Sequence, residues 1–241
     1  MRLAQSGPWL IADLGREQEV LSFAPHRPGL VRASRIIWRE VRNSDLTPDF
    51  DAQRWLDESL DAARLAANGA CVAMMTSRRI DSYREARRGP VHAVATVGLG
   101  NAERIGHRRA HDAASLASAA QDSPRARSYG TINIAVAIDA GLTSPAMIEA
   151  LTIATQARTA AIIGAGLRLP SGLATGTGTD CIAIAADRGE TRYAGLHTAL
   201  GEAIGRAVHD CVLQGAQDWI DEQILLPPAK PVTPITPTTE T

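Results

Sequence analysis

The sequence predicts a single α/β domain of mixed α+β character, in which helices pack on one mixed sheet. Short runs of aliphatic residues bounded by Gly, Asn and Asp alternate with amphipathic helical segments. Aromatic residues make up only 4% of the 241 residues, so the core must consist mainly of Ala, Val, Ile and Leu. The order strand, turn, helix, strand occurs twice, over 31–78 and 131–186, which favours two βαβ-like units and is compatible with an internal duplication.

The first part of the chain is predicted to form strands. Residues 8–14 and 19–24 are short apolar runs separated by the turn-prone pair Gly15-Arg16. A third run, 30–41, carries consecutive large apolar residues and stops at a turn cluster over 43–45. These patterns predict three short strands connected by turns.

The next segment predicts a helix followed by buried strands. Apolar residues recur at spacings of three and four over 51–67, with Thr47-Pro48 opening the helix and Asn68-Gly69 ending it. Apolar runs over 70–76 and 91–99 predict two buried strands. The polar, Ala- and Ser-rich stretch 101–128 predicts a long surface loop or a short helix.

The second half has clearer signals. Residues 131–139 predict a strand, and Thr143 or Ser144 caps a helix that runs to about residue 163. A loop over 168–180, a strand over 181–186 and a helix over 198–214 or beyond follow. The proline- and threonine-rich tail, 227–241, has almost nothing to bury and is predicted to be disordered, so the domain is expected to cover 1–226.

Composition excludes several classes of protein. The formal net charge of −1 argues against a general nucleic-acid or membrane-surface binder. A signal-peptide pattern and an apolar run of membrane-spanning length are both missing, so a cytoplasmic protein is expected. Three widely spaced cysteines form no disulfide framework and no Cys/His spacing typical of zinc, so no metal site is expected.

The least ordinary stretch is a glycine–threonine loop, residues 175–180. Alternate glycines let backbone N–H groups approach a ligand, and the threonines between them supply hydroxyls. Such a loop can cradle a phosphate or hold an oxyanion, although the lysine of a P-loop is missing. The alternative is a connector without a ligand. The loop consists of Thr175, Gly176, Thr177, Gly178, Thr179 and Asp180.

Other polar residues stand at the ends of predicted strands. Asn133 and Asp139 frame the strand 131–139, and Asn133 is either a hydrogen-bonded core amide or a site residue. Asn101 is a turn residue at positive φ or a ligand donor, with the turn favoured. Thr76 ends a strand and fits either role.

Two residues near the last helix carry acid–base chemistry. His197 precedes the helix and is a candidate general acid, because histidine side chains in general exchange protons near neutral pH. Glu202 lies one turn into the helix. Its favoured role is to complement the helix dipole, and the alternative is proton transfer.

Several segments stand out in order along the chain: VGLGNA at 97–102, GTINI at 130–134 with DAGLT at 139–143, AMIEAL at 146–151 with Thr155, and, as the strongest, ATGTGTDC at 174–181 and ALGEAIGRAV at 199–208. In combination, these segments resemble the adenosylcobinamide amidohydrolases of corrinoid salvage. The resemblance extends over nearly the whole chain except the tail, and weaker similarity covers VLSFA at 20–24 and MMT at 74–76. One departure is 25–29, where the family usually has a paired-glycine turn.

The resemblance implies hydrolysis of the amide that joins aminopropanol to the corrin ring of adenosylcobinamide. The products would be adenosylcobyric acid and 1-aminopropan-2-ol. The partner is then a small-molecule corrinoid whose cobalt enters with the substrate, no further cofactor is expected, and association into a homo-oligomer stays open. The residues expected to bind substrate are Thr76, Asn101, Thr131, Asn133, Asp139, Thr175, Gly176 and Gly178.

The mechanistic hypothesis places Asp180 as general base, acting on water or on Thr177 or Thr179. Backbone amides of the two loop glycines would hold the oxyanion together with Asn133, and His197 or Glu202 would protonate the leaving amine. Two alternatives remain open: a non-catalytic corrinoid-binding protein, and a nucleotide-binding enzyme that uses the glycine–threonine loop for phosphate.

Overall fold

The computed structural model describes residues 1–42, 45, 50–66, 70–107 and 130–225. Four predicted features lie wholly or largely outside these ranges: the turn at 43–45, the two ends of the first helix, most of 101–128, and the tail. In chain order the elements are β1 (Arg2–Ser6), β2 (Trp9–Ser22), β3 (Gly29–Glu40), α1 (Ala52–Ala62), β4 (Cys71–Thr76), β5 (Arg84–Arg88), β6 (Val91–Val97), β7 (Ala102–Glu103), β8 (Ile132–Leu142), α2 (Ser144–Ala165), β9 (Arg168–Leu169), β10 (Gly172–Leu173), β11 (Gly176–Thr177), β12 (Cys181–Arg188) and α3 (Ala199–Leu225).

The main sheet is mixed, as predicted. Its strand order is β4-β3-β2-β12-β8-β6-β5, and β1 pairs with β2. Two neighbouring pairs, β3 with β4 and β8 with β12, are parallel, and each pair is connected by a helix, α1 or α2. The predicted α/β class and the repeated βαβ order are therefore confirmed.

The prediction of two short strands separated by a turn at Gly15-Arg16 is wrong. Both runs belong to β2, and both pair with β3. The register jumps from Asp13 opposite Arg35 to Gln18 opposite Ala33, which marks a bulge. Gly15 supplies the left-handed backbone (φ +81) that the bulge requires, and its N–H donates to Asp13 Oδ1 at 2.7 Å. The residues between Asp13 and Gln18 therefore bulge out of β2, which pairs with β3 on both sides of the bulge.

The sheet is strongly curled. β4 and β6 are five strands apart, which in a flat sheet corresponds to about 24 Å. However, the hydroxyl of Thr96 on β6 donates to the hydroxyl oxygen of Thr76 on β4 at 3.2 Å. The indole N–H of Trp38 on β3 likewise donates to the carbonyl oxygen of Asn133 on β8 at 3.3 Å. These contacts are possible only if the sheet wraps around an interior.

Small residues let the sheet curl tightly. Successive inward positions of β8 and β12 are Ala135, Ala137, Ala183 and Ala185, which pack with the other inward-facing apolar residues. The opposite faces of these strands carry isoleucines that pack against α2 and α3, while α1 covers the outer face of β3 and β4. The interior opens at two ends. We call them the amino-terminal mouth, where β8 and β12 begin, and the carboxyl-terminal mouth, where they end.

The helices α2 and α3 form one layer over the sheet. Thr143 caps α2 by accepting from the N–H of Ala146 at 3.4 Å, and Gly166 ends it in the left-handed conformation. The last helix extends to Leu225, in agreement with the prediction of a helix over 198–214 or beyond. None of the helices in the described ranges is long and apolar enough to cross a bilayer.

The chain packs closely against the start of α3 at Gly201. A Cβ atom at Gly201 would lie 2.1 Å from the carbonyl oxygen of Gly195, so we expect Gly201→Ala to lower the free energy of unfolding by about 1–3 kcal/mol. At Gly205, four residues further along, the nearest atom would be Ile153 Cγ2 at an ordinary 3.8 Å. Gly205→Ala is the matched control and is expected to gain about 0.5–1 kcal/mol from helix propensity. Urea unfolding of the two variants measures the contrast, and equal midpoints would contradict it.

Candidate functional site

A cavity of about 410 Å³ occupies the amino-terminal mouth. Its wall includes the end of β4, the turn after β6, the starts of β8 and β12, and the glycine–threonine loop. The residues that line it within the described ranges carry no formal charge. The polar ones are Thr76, Ser77, Asn101, Thr131, Asn133 and Thr179, with the backbone of Gly130; the others are Pro25, Val41, Phe50, Met75 and Cys181.

Five predicted site residues meet at this cavity although they are far apart in the sequence. Four of the five, all except Thr76, are connected by hydrogen bonds: Asn101 donates to the Thr179 hydroxyl oxygen, and the hydroxyl of Thr131 donates to the carbonyl oxygen of Thr179 at 2.7 Å and lies 3.2 Å from Asn133 Oδ1. The hydroxyl of Thr179 donates to the carbonyl oxygen of Gly130 at 3.2 Å. The five residues are Thr76, Asn101, Thr131, Asn133 and Thr179.

Asn133 is a hydrogen-bonded core amide, one of the two roles that its sequence position suggested. It is only 1% exposed, its amide N–H₂ donates to the carbonyl oxygen of Met75, and its side-chain oxygen lies beside the Thr131 hydroxyl. The amide thus holds the start of β8 against the end of β4. Because it also lines the cavity, Asn133 positions the wall and forms part of it.

Two side chains on the cavity wall, Asn101 and Thr76, each have one hydrogen-bonding group without a partner among the described residues. Asn101 donates to the Thr179 hydroxyl oxygen at 3.4 Å, but its buried Oδ1 has no partner among the described residues. Thr76 Oγ1 accepts from the N–H of Arg78 at 3.1 Å and from Thr96, which leaves its own proton for a ligand. Asn101 lies in a turn with negative φ, so its predicted positive φ is wrong.

Asp180 is a buried anchor behind the wall. It is 8% exposed at the side chain and does not line the cavity. Its carboxylate accepts from the N–H of Ile132 at 3.1 Å, from the N–H and hydroxyl of Thr177 at 3.0 and 2.5 Å, and from Arg158 Nη1 at 2.5 Å. Burial raises the pKa of Asp180 above its ordinary value, and the Arg158 guanidinium is the largest opposing influence.

Arg158, which the sequence analysis missed, explains the first glycine of the loop. A Cβ atom at Gly176 would lie 1.8 Å from Arg158 Nη1 and 2.6 Å from Asp180 Oδ2, so a side chain there would displace the ion pair. At Gly178 the nearest atom would be 3.9 Å away. The available signal was composition: Arg158 and Glu149 are the two charged residues in the 22 residues of α2. A lone cation on an apolar helix indicates a buried partner.

The remaining predicted residues lie elsewhere. Thr175 accepts from the N–H of Ile105 at 2.8 Å and joins the loop to the chain after β7. Asp139 lines a different cavity, at the carboxyl-terminal mouth. His197 and Glu202 flank the start of α3, which follows the far end of β12. His197 is exposed, and Glu202 pairs with Arg206 at 3.2 Å on the surface. The structure does not bring these last three residues to the amino-terminal mouth.

Across the described ranges, no group of three or more His, Cys, Asp or Glu side chains is arranged to hold an ion. Cys181 lines the cavity, but burial and the neighbouring Asp180 raise the pKa of its thiol to about 12. The thiol is therefore protonated at neutral pH and is a poor nucleophile.

The Asp180–Arg158 pair predicts a pH-dependent stability difference. Arg158→Met keeps the side-chain volume but leaves a buried, uncompensated carboxylate, so we expect a loss near neutral pH of about 3–5 kcal/mol. The substitution raises the pKa of Asp180 further above its unfolded value of about 4. A carboxyl group whose pKa is higher in the folded than in the unfolded state stabilises the protein at low pH, and this contribution is lost as the pH rises. The free energy of unfolding of Arg158→Met is therefore expected to approach that of the wild type in acid.

Urea unfolding near neutral pH and at about pH 5 measures this difference. The difference in the free energy of unfolding between wild type and Arg158→Met is expected to be smaller at the lower pH. A gap that stays constant or widens would contradict the assignment. Arg206→Met is the matched control, because its pair with Glu202 is exposed and its loss is expected to change stability little at either pH.

Comparison with known proteins places these residues in a family. A sequence model of adenosylcobinamide amidohydrolases matches residues 1–224. An adenosylcobinamide amidohydrolase of Halobacterium salinarum is 29% identical over 171 residues, 70% of this chain and 68% of that protein. An uncharacterized protein of Methanocaldococcus jannaschii is 39% identical over 89 residues, and the match spans only 35% of each chain. Because the family match includes the whole cavity wall, the chain belongs to the adenosylcobinamide amidohydrolase family.

Proposed function

We propose that this protein hydrolyses the amide bond between aminopropanol and the corrin ring of adenosylcobinamide at the amino-terminal mouth. The carbon–nitrogen bond breaks, and water supplies a hydroxyl to the acyl carbon and a proton to the amine. The products are adenosylcobyric acid and 1-aminopropan-2-ol. The observation that carries the proposal is an uncharged wall of hydroxyls and amides in a member of this family.

The unpaired groups on the wall complement a secondary amide. Such an amide offers one carbonyl acceptor and one N–H donor. The free proton of Thr76 suits the carbonyl oxygen, and the unpaired Oδ1 of Asn101 suits the N–H. In the free protein an unpaired buried oxygen costs about 1–3 kcal/mol, and this cost is relieved when the substrate binds. The wall therefore favours a neutral substrate that carries both groups.

Size and charge support the same substrate class. A volume of about 410 Å³ suits a side chain of the corrin and leaves the ring itself at the opening, since pockets that enclose whole ligands measure about 300–1,000 Å³. The nucleotide alternative is disfavoured, because Asp180 already occupies the N–H of Thr177 and places a carboxylate where a phosphate would lie.

The geometry divides the roles within the glycine–threonine loop. Thr179 is its one member on the cavity wall, so we place the Thr179 hydroxyl beside the scissile amide, either as nucleophile or as the group that orients the attacking water. Asp180 acts through the loop: it fixes Thr177, the start of β8 and, by continuity, Thr179. This makes Asp180 a positioning residue in the proposal, whereas the sequence suggested a general base.

The direct test is incubation of the purified chain with adenosylcobinamide, followed by mass analysis for loss of aminopropanol. We expect Thr179→Val to lower turnover by at least about 100-fold and Thr179→Ser, the matched control that keeps the hydroxyl, to stay within about tenfold of wild type. Hydroxylamine trapping during turnover separates the two roles of Thr179, because a threonine nucleophile passes through an ester and water attack does not.

Three results would count against this proposal. Tight binding of adenosylcobinamide without release of aminopropanol would identify a non-catalytic corrinoid-binding protein. Thermal stabilisation by nucleotides but not by cobinamide would favour the nucleotide-binding alternative. Wild-type turnover in Thr179→Val would remove this hydroxyl from the reaction.

A further inference from the structure

The carboxyl-terminal mouth holds a second cavity, of about 330 Å³. It is separated from the amide site by the alanine-lined interior of the curled sheet. We propose that this cavity binds a small anion that carries a neighbouring hydroxyl or amine donor. This inference is independent of the proposed hydrolysis, because the two cavities share no lining residue.

The first argument is an unpaired acceptor on His92, which lines this cavity. The imidazole is 6% exposed, and its Nε2 lies 2.6 Å from Glu85 Oε2. Burial lowers the pKa of His92 below its ordinary value, so the ring is neutral near pH 7 and its one proton lies on Nε2, toward the carboxylate. Nδ1 is then an acceptor, and it is buried with no partner in the described ranges. Such an atom is matched by a ligand that donates O–H or N–H.

The second argument is a cation without a carboxylate partner. Arg87 lies directly opposite His92 in the β5–β6 pair, and its guanidinium hydrogen-bonds only to the carbonyl oxygen of Met1, at 3.4 Å, within the described part of the chain. The other arginine that lines the cavity, Arg16, already forms an ion pair with Asp187, to which its Nε donates at 3.2 Å. Arg87 is thus the guanidinium available to an anionic group.

The third argument is that irregular strands open this end of the sheet. The bulge between Asp13 and Gln18 interrupts β2 at the cavity, and a second irregularity shifts β12 between Ala186 and Asp187. Gln18 resumes β2 with only 7% exposure and lines the cavity. Bulges of this kind commonly re-aim side chains beside ligand sites. Three independent features therefore meet in one place.

The chemistry at this mouth selects the ligand class. Arg87 requires an anion, and His92 Nδ1 requires a donor, so a bare anion satisfies one group and a neutral alcohol the other. A small phosphate or carboxylate with an adjacent hydroxyl satisfies both, and the volume limits it to a compact molecule.

Titration of the full chain, labelled with ¹⁵N in its histidine rings, tests this site. Glycerol 3-phosphate and lactate are the probes, with sulfate, an anion that carries no O–H donor at neutral pH, and glycerol as half-ligands. We expect at least one probe to shift the Nδ1 resonance of His92 saturably below about 20 mM. Each half-ligand should bind at least about tenfold more weakly, since it leaves one group unpaired.

Two variants decide the outcome. Arg87→Gln, an exposed substitution that should not disturb folding, is expected to weaken probe binding at least about tenfold. Thr179→Val, at the other mouth, should leave the titration unchanged. No shift at His92 with either probe, equal binding of sulfate alone, or full binding in Arg87→Gln would each overturn the proposal. Loss of hydrolysis with intact probe binding would reject only the amide site.

Discussion

The curl of the main sheet is the constraint on which both cavities depend. Curling brings Thr76 at one edge of the sheet to Thr96, five strands away, and places the Trp38 indole on the carbonyl of Asn133. It is possible because the inward positions of β8 and β12 are alanines, which let opposite walls approach closely. Larger side chains there would force the walls apart and break the polar contacts at the amino-terminal mouth.

A second constraint is the buried carboxylate of Asp180. An isolated charge in this position would be costly, but two backbone N–H groups, a hydroxyl and the Arg158 guanidinium all donate to it. Each donor comes from a different part of the fold or from the loop itself, so the carboxylate connects α2, β8 and the glycine–threonine loop. The rigidity of the loop follows from this connection, and with it the fixed position of Thr179 on the wall.

Much of the fold follows from sequence patterns, because hydrophobic periodicity determines which face of an element is buried. The two βαβ units were predictable in this way. The turn predicted at Gly15-Arg16 was wrong, because a turn and a bulge favour the same residue types. They differ in whether the chain after them pairs with the segment before them or continues along the same neighbouring strand, here β3. Arg158 was missed because its partner is distant in the sequence and the contact depends on helix packing.

The candidate site shows where periodicity stops being informative. Hydrophobic periodicity identifies the buried face of a helix or strand, but it does not show at which end of the sheet a residue lies. Strand direction does say this: Asn133 and Asp139 are six residues apart on β8, which corresponds to about 20 Å. His197 and Glu202 follow the carboxyl end of β12, so they lie at the opposite end of the sheet from Asn133. The sequence analysis assigned Asp139, His197 and Glu202 to the same site as Asn133, but the structure places them at the other end of the sheet.

The two mouths differ in charge, and this difference follows from the same strands. None of the described residues that line the amino-terminal mouth carries a formal charge, so none of them competes as an ion for the hydroxyls and amides of the proposed substrate site. In such a low-dielectric setting each hydrogen bond to a reacting amide is stronger than it would be in water. At the carboxyl-terminal mouth, arginines and carboxylates surround a single unpaired imidazole nitrogen. Segregating charge to one end of the interior keeps the other end suited to a neutral amide.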